Sequence, residues 1–99
     1  MKVSKTGFIY KTEDGKFLLR ILNRGYFDAV HYVFKVVSEF SWACLLDSEI
    51  VIDKDNRDSV TGIKYRTIFS EDILSRCKCL SVEVNRVGVD FVISELELV

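Results

Sequence analysis

Ninety-nine residues, 48% hydrophobic and 29% charged, describe one globular unit with its own core and exclude a disordered chain or a multidomain assembly. A net charge of −1 excludes a general polyanion binder, and a single histidine excludes any site that needs two imidazoles. The charge is uneven: residues 1–46 carry seven Lys/Arg against four acids, and residues 47–99 carry seven against eleven. Solvated surface explains such a division; so does a molecule with a basic N-terminal hairpin and an acidic C-terminal face.

Lys2 and Lys5 are not followed by the apolar core of a leader, and no apolar run approaches the roughly eighteen residues of a membrane span. The expectation is a cytoplasmic protein without membrane contact, its Cys44, Cys77 and Cys79 reduced. Proline is absent, so no backbone N–H is lost to the ladders.

Residues 1–6 read as a polar lead-in. Residues 7–12 (GFIYKT) and 16–23 (KFLLRILN) then flank Asp14-Gly15, the dipeptide pattern of a hairpin turn. Phe8 and Tyr10 share one face. Phe17, Leu19 and Ile21 oppose Leu18, Arg20 and Leu22, so the second strand has apolar residues on both sides. Asn23-Arg24-Gly25 turns the chain into an antiparallel neighbour.

The richest run, residues 26–46, holds the only Trp and the only His. Asp28, His31, Lys35 and Glu39 form a helical polar stripe, which admits a helix over residues 28–42. The β-branched and aromatic residues Val30, Tyr32, Val33, Phe34, Val36 and Val37 favour a strand over Val30–Val37 instead. A turn or helical turn at residues 38–42 and extended chain from Ala43 complete that reading.

Ile50-Val51-Ile52 is a short β-branched run, and residues 53–58 (DKDNRD) form an exposed loop. Ile63, Tyr65, Thr67 and Phe69 alternate with polar residues as a strand with one wet face. Ser70 before Glu71-Asp72 marks the N-cap of a short helix, about residues 71–78. A final hairpin follows: Leu80, Val82 and Val84, a turn at residues 85–88, then Val89, Phe91 and Ile93. The parity change to Leu96 and Leu98 predicts a β-bulge near Ser94 or Glu95. The whole is one α+β domain: a mostly antiparallel sheet of about five to six strands, N- and C-terminal hairpins, and one or two short helices.

Chemistry-bearing constellations are sparse. His31 has no neighbouring nucleophile signature. Cys77, Cys79 and Cys44 with His31 would make a chemically sound zinc set, but only one residue separates the paired cysteines, and free buried thiols are the plainer reading. The loop at Asp53 lacks the ligand pattern of a calcium site, since Arg57 and Lys64 stand where oxygens are needed. No glycine-rich phosphate loop occurs. No catalytic residue, metal or cofactor is therefore expected.

Two binding surfaces remain. Asp53, Asp55 and Asp58 with Glu95 and Glu97 would form an acidic contact surface for a partner protein, and a C-terminal edge strand would offer unpaired backbone for a homodimer or for a partner's sheet. Lys11, Lys16, Arg20 and Arg24, near Tyr10, would form the alternative: a face for single-stranded nucleic acid, disfavoured by the acidic half.

Asp14-Gly15-Lys16-Phe17-Leu18, Tyr32-Val33-Phe34 and the run from Trp42 to Ser48 (WACLLDS) resemble the layout of small accessory proteins of tailed bacteriophages, over about the first half of the chain. The resemblance implies a role in host takeover or counter-defence through binding a host protein, and it carries no individual functional residue. The expected function is a small non-enzymatic protein-binding module that occludes such a partner.

Overall fold

The computed structural model describes residues 3–25, 29–66 and 70–96. Its strands are β1 (Val3–Lys11), β2 (Phe17–Arg24), β3 (Val30–Val37), β4 (Lys64–Tyr65), β5 (Lys78–Val87) and β6 (Asp90–Glu95). They form one sheet in the order β4-β3-β2-β1-β5-β6. A 3-10 turn (Trp42–Cys44) and a six-residue helix, α1 (Ser70–Ser75), complete the described elements.

The sheet is mixed: most of its pairs are antiparallel, as expected, but the expectation of a mostly antiparallel sheet did not include a parallel pair at its edge. β3 and β4 run parallel, with His31 opposite Lys64 and Tyr32 opposite Tyr65. The other neighbouring pairs are antiparallel. A parallel pair needs a crossover, and residues 38–63 supply it as irregular chain laid across the sheet.

The strand over Val30–Val37 forms over the predicted residues, pairing with β2 from Phe17↔Val37 to Arg24↔Val30. The helical alternative loses because the apolar residues of this run are divided between the two faces of a sheet: Tyr32 and Phe34 pack on one side and Val37 on the other. A helix would have had to gather them into a single stripe.

Other boundaries move. β1 begins at Val3, not after a polar lead-in, because Val3 through Lys11 pair in unbroken register with β5, from Val3↔Arg86 to Lys11↔Lys78. The helical turn sits at Trp42–Cys44, closed by Cys44 N–H to Ser41 C=O (2.9 Å) and Leu45 N–H to Trp42 C=O (3.1 Å). Residues 50–52 form no strand, though Ile52 bridges Asp58. The predicted strand over residues 63–69 is reduced to the two residues of β4, and residues 67–69 lie outside the described chain. α1 ends at Ser75 because Lys78 already belongs to β5. The side chains on which the Ser70 cap rests also lie outside the described residues.

The last hairpin turns at Gly88-Val89, two residues beyond the expected turn, with Val87 paired to Asp90. Gly88 at φ +63 followed by a residue of negative φ is the pattern of a type II′ turn. The predicted bulge is absent among the described residues. The β5–β6 register is regular from Val87↔Asp90 to Val82↔Glu95, and Leu96 N–H continues it to Ser81 C=O at 2.8 Å. The parity change instead leaves Leu96 exposed.

β1 and β2 pair only at the mouth of their hairpin, Lys11↔Phe17. Further along, Leu46 becomes the partner of β1: its N–H and C=O exchange hydrogen bonds with Phe8 at 2.9 and 2.8 Å. Gly7 makes this possible, since a Cβ there would lie 2.5 Å from Leu46 O and 2.9 Å from Leu45 Cδ1.

Two cores result. On the first face Ile9, Phe17, Cys44, Val82 and Val84 are buried under Phe40, Trp42, Leu45 and Phe91. The rings meet edge to face, Phe40–Phe91 at 5.0 Å and Trp42–Phe91 at 5.1 Å, contacts that contribute about 0.5–1.5 kcal/mol each beyond burial. On the second face Tyr10, Leu18, Tyr32, Ile50 and Tyr65 are buried, with Ile73, Leu74, Cys77 and Cys79 packed beside them. This second core stops short of β6 and of the end of β5: Val87 of β5, Val92 of β6 and Leu96 just beyond it are exposed.

Candidate functional site

The later part of the long crossover is fastened to the sheet through a buried carboxylate. Asp53 first shapes the loop: its Oδ1 accepts the N–H groups of Asp55 (2.9 Å) and Arg57 (3.0 Å). That Asx turn places Asn56 at φ +60, a region Asn tolerates, and Asn56 Nδ2 donates to Tyr65 C=O at 2.6 Å. The chain then buries Asp58, which is only 3% exposed. Its Oδ1 accepts from Tyr65 hydroxyl (2.7 Å) and Arg20 Nη1 (3.1 Å). Its Oδ2 accepts from Thr61 N–H (2.9 Å), Val60 N–H (3.1 Å) and Thr61 hydroxyl (3.2 Å).

Burial pushes the Asp58 pKa upward. The amide donors of Thr61 and Val60, the Tyr65 hydroxyl and the Arg20 charge outweigh it, and the carboxyl stays below its usual range. The Tyr65 hydroxyl is raised, by burial first and by donating to Asp58. Arg20 also stacks over the Tyr32 ring at 4.3 Å. Every oxygen of Asp58 is engaged, so this cluster is a fastening for the loop.

Two expectations are corrected here. Asp58 is not part of an exposed contact surface: its acceptor geometry matches the donors of Arg20, Tyr65 and the Thr61 turn, and the sheet buries it. Arg20 is not a free cation on the hairpin surface, because its guanidinium is paired with buried Asp58 at 3.1 Å. Asp53 and Asp55 remain exposed, Asp53 with one oxygen held by its own turn.

The remaining basic residues are not gathered. Lys11 lies over the Phe17 ring (5.6 Å) on the first face, whereas Arg20 lies on the second. Lys16 sits at the hairpin tip, 3.5 Å from Asp14. Arg24 is at the opposite end of β2. Lys5 over Trp42 (5.2 Å) and Arg86 over Phe91 (5.8 Å) likewise occupy ring faces that a stacked base would need.

The cysteines are separated by the sheet: Cys44, 1% exposed, in the first core, and Cys77 and Cys79 against the second. Among the described residues no group of three or more His, Cys, Asp or Glu could hold a metal. Burial raises the Cys77 and Cys79 thiols, which keeps them protonated at neutral pH. Tyr10, pushed up to about 12 chiefly by burial, accepts the Ile50 N–H at 2.8 Å and ties the crossover down a second time.

β6 is the outer strand of the sheet, and no described strand pairs with its far side. Because Leu96 N–H points to Ser81, residues 90, 92, 94 and 96 direct their backbone groups at β5, and Phe91, Ile93 and Glu95 direct theirs outward. Phe91 and Ile93 pack into the first core, which fixes the strand's rotation. Val92 is left 53% and Leu96 40% exposed on the other side. Glu95 is exposed at the end of this edge, and Glu97 lies outside the described residues.

A cleft of about 460 Å³ lies where the β2–β3 hairpin meets β4, lined by Asn23, Arg24, Gly25, His31 and Arg66. His31 Nε2 is buried there with no hydrogen-bond partner among the described residues. An orphaned buried nitrogen costs about 1–3 kcal/mol. Neither Asn23 nor Arg66 stands out in the sequence; only the parallel register of β4 brings Arg66 to the hairpin end, and nothing local signals that pairing.

No described helix is long and apolar enough to cross a membrane. Comparison of the chain with models of known families, with curated proteins and with solved structures finds no match.

Proposed function

We propose that the chain is a small non-enzymatic protein-binding module that engages its partner through the outer edge of β6. The observation that carries this reading is the regular β6 edge, with which no described strand pairs, and the backbone groups of Phe91, Ile93 and Glu95 directed outward beside exposed Val92 and Leu96. Edge strands in isolated proteins are normally shortened, bulged or charged against association. β6 is unbulged and bears apolar groups on its solvated face, the arrangement of a strand that adds to another sheet. Glu95 supplies negative charge at this edge that steers a basic partner, whereas Asp53 and Asp55 lie on the loop held to β4 at the opposite edge of the sheet. The resemblance to phage accessory proteins makes a bacterial host protein the partner class, and occlusion of that protein the mode of action.

The test removes one outward donor. Glu95→Pro deletes an N–H that β5 does not use, and proline is tolerated on an outer edge. Wild-type protein immobilised in a bacterial lysate is expected to retain a host protein in stoichiometric amount, and Glu95→Pro is expected to lose it. Equal retention by both proteins, or no stoichiometric retention by the wild type, sinks the reading. A homodimer through the same edge would appear as concentration-dependent sedimentation abolished by Glu95→Pro.

A further inference from the structure

From the cleft at the β2–β3 hairpin end we infer a second site, independent of the β6 edge, that binds a small phosphorylated molecule. The lining converges donor groups from separate parts of the chain: Asn23 from the end of β2, His31 from β3, and Arg66 just beyond β4, with Arg24, which has a partner of its own, beside them. No acidic residue is among the described residues that line it. Arg66 is positioned by its backbone, whose N–H donates to Tyr32 C=O at 2.9 Å, while its guanidinium has no hydrogen-bond or ion-pair partner among the described residues. A planar guanidinium with its donors unused matches the oxygens of a phosphate group.

His31 supplies the second observation. Its Nε2 is buried and unpartnered, and its Cε1 lies beside Gly25. A half-turn of the ring carries Nε2 to the place of Cε1, at the wall of the cleft, where a ligand oxygen satisfies it. Gly25 keeps that approach open: a Cβ there would stand 3.2 Å from His31 Cε1 and 3.4 Å from Ala29 O. A cavity of about 460 Å³ exceeds a bare phosphate ion and falls in the range of about 300–1,000 Å³ typical of small-molecule sites. The ligand class is therefore an organic phosphomonoester.

The experiment titrates the full chain, 15N-labelled, with inorganic phosphate and with adenosine monophosphate, against sodium chloride at matched ionic strength. Saturable shifts at Asn23, Gly25 and the His31 ring are expected, with adenosine monophosphate binding more tightly than phosphate. Arg66→Gln is expected to weaken binding about tenfold or more, the loss of one charge-assisted contact. Gly25→Ala is expected to weaken it by narrowing the cleft. Lys54→Gln, which removes the same charge outside the cleft, is expected to change nothing, and unshifted Val82 and Val84 amides certify the fold of each variant. Shifts that do not saturate, or equal affinity in the wild type and Arg66→Gln, overturn the site. Equal affinity for phosphate and adenosine monophosphate overturns the assignment of ligand class. Glu95→Pro leaves phosphate binding intact if the two sites are separate, so failure at one surface is distinguishable from failure at the other.

Discussion

The two edges of the sheet are built on opposite principles. At one end β4 contributes two residues to a parallel pairing, too few to hold themselves, and its position is secured by the polar cluster around Asp58 and the rings of Tyr32, Phe34 and Tyr65. At the other end β6 is held by a regular ladder to β5 and by Phe91 and Ile93 in the apolar core, with no ion pair involving it among the described residues. The first edge is closed by the crossover; the second has no described strand beyond it. Directional hydrogen bonds fix an irregular loop in one place, and non-directional apolar burial suffices where the backbone ladder already sets the register.

The largest effect that separates the two edges is expected from Asp58→Ala. It strands Arg20 and the Tyr65 hydroxyl without their acceptor, and breaking a buried ion pair from one side destabilises by about 3–5 kcal/mol. Urea unfolding measures this; a loss within about 0.5 kcal/mol, the usual range of surface changes, would show the cluster to be incidental.

Next comes Gly7→Ala, at the seam between the halves. A Cβ placed 2.5 Å from Leu46 O forces the Phe8–Leu46 bridge apart, an overpacking cost of about 1–3 kcal/mol. Faster hydrogen exchange at the Phe8 and Leu46 amides would accompany it, and unchanged exchange would mean the seam accommodates the methyl.

Acid should act on the closed edge before the β6 edge. The folded pKa of Asp58 is depressed, so its contribution to stability is fully present above its unfolded value of about 3.9 and is lost as pH falls through the lower folded value. Stability is thus expected to fall as pH drops below about 4, and Asp58→Asn is expected to flatten that slope. An equally steep slope in Asp58→Asn would place the acid sensitivity elsewhere.

The smallest effect on stability is expected from Glu95→Pro, within about 0.5 kcal/mol, because the lost N–H points away from β5. A larger loss would show that β6 is not an independent edge.

The hairpins were readable because their signals are local. Asp14-Gly15 needs only a positive φ at Gly15, observed at +82, and the β-branched Val30, Val33, Val36 and Val37 select a strand within a few residues. The last turn was misplaced because Asn85 carries a turn-forming side chain, while the backbone turned where Gly88 could take the required φ. Residues 3–6 read as a tail because their pairing partner, β5, is some eighty positions away. At the site the acids were found but not their roles: Asp53, Asp55 and Asp58 look alike in a run of charged residues, and only the fold opposes Asp58 to Arg20, 38 positions earlier.

By itself the chain determined the strand-rich character, the two hairpins and the apolar alternation that rotates each strand, since these follow from period-two patterning and turn chemistry within a few residues. Tertiary structure decided the parallel β4, the Leu46 seam, the burial of Asp58, the β6 edge and the cationic cleft at His31. Each depends on which distant segments meet, and burial, dielectric and hydrogen-bond saturation have no value until they do.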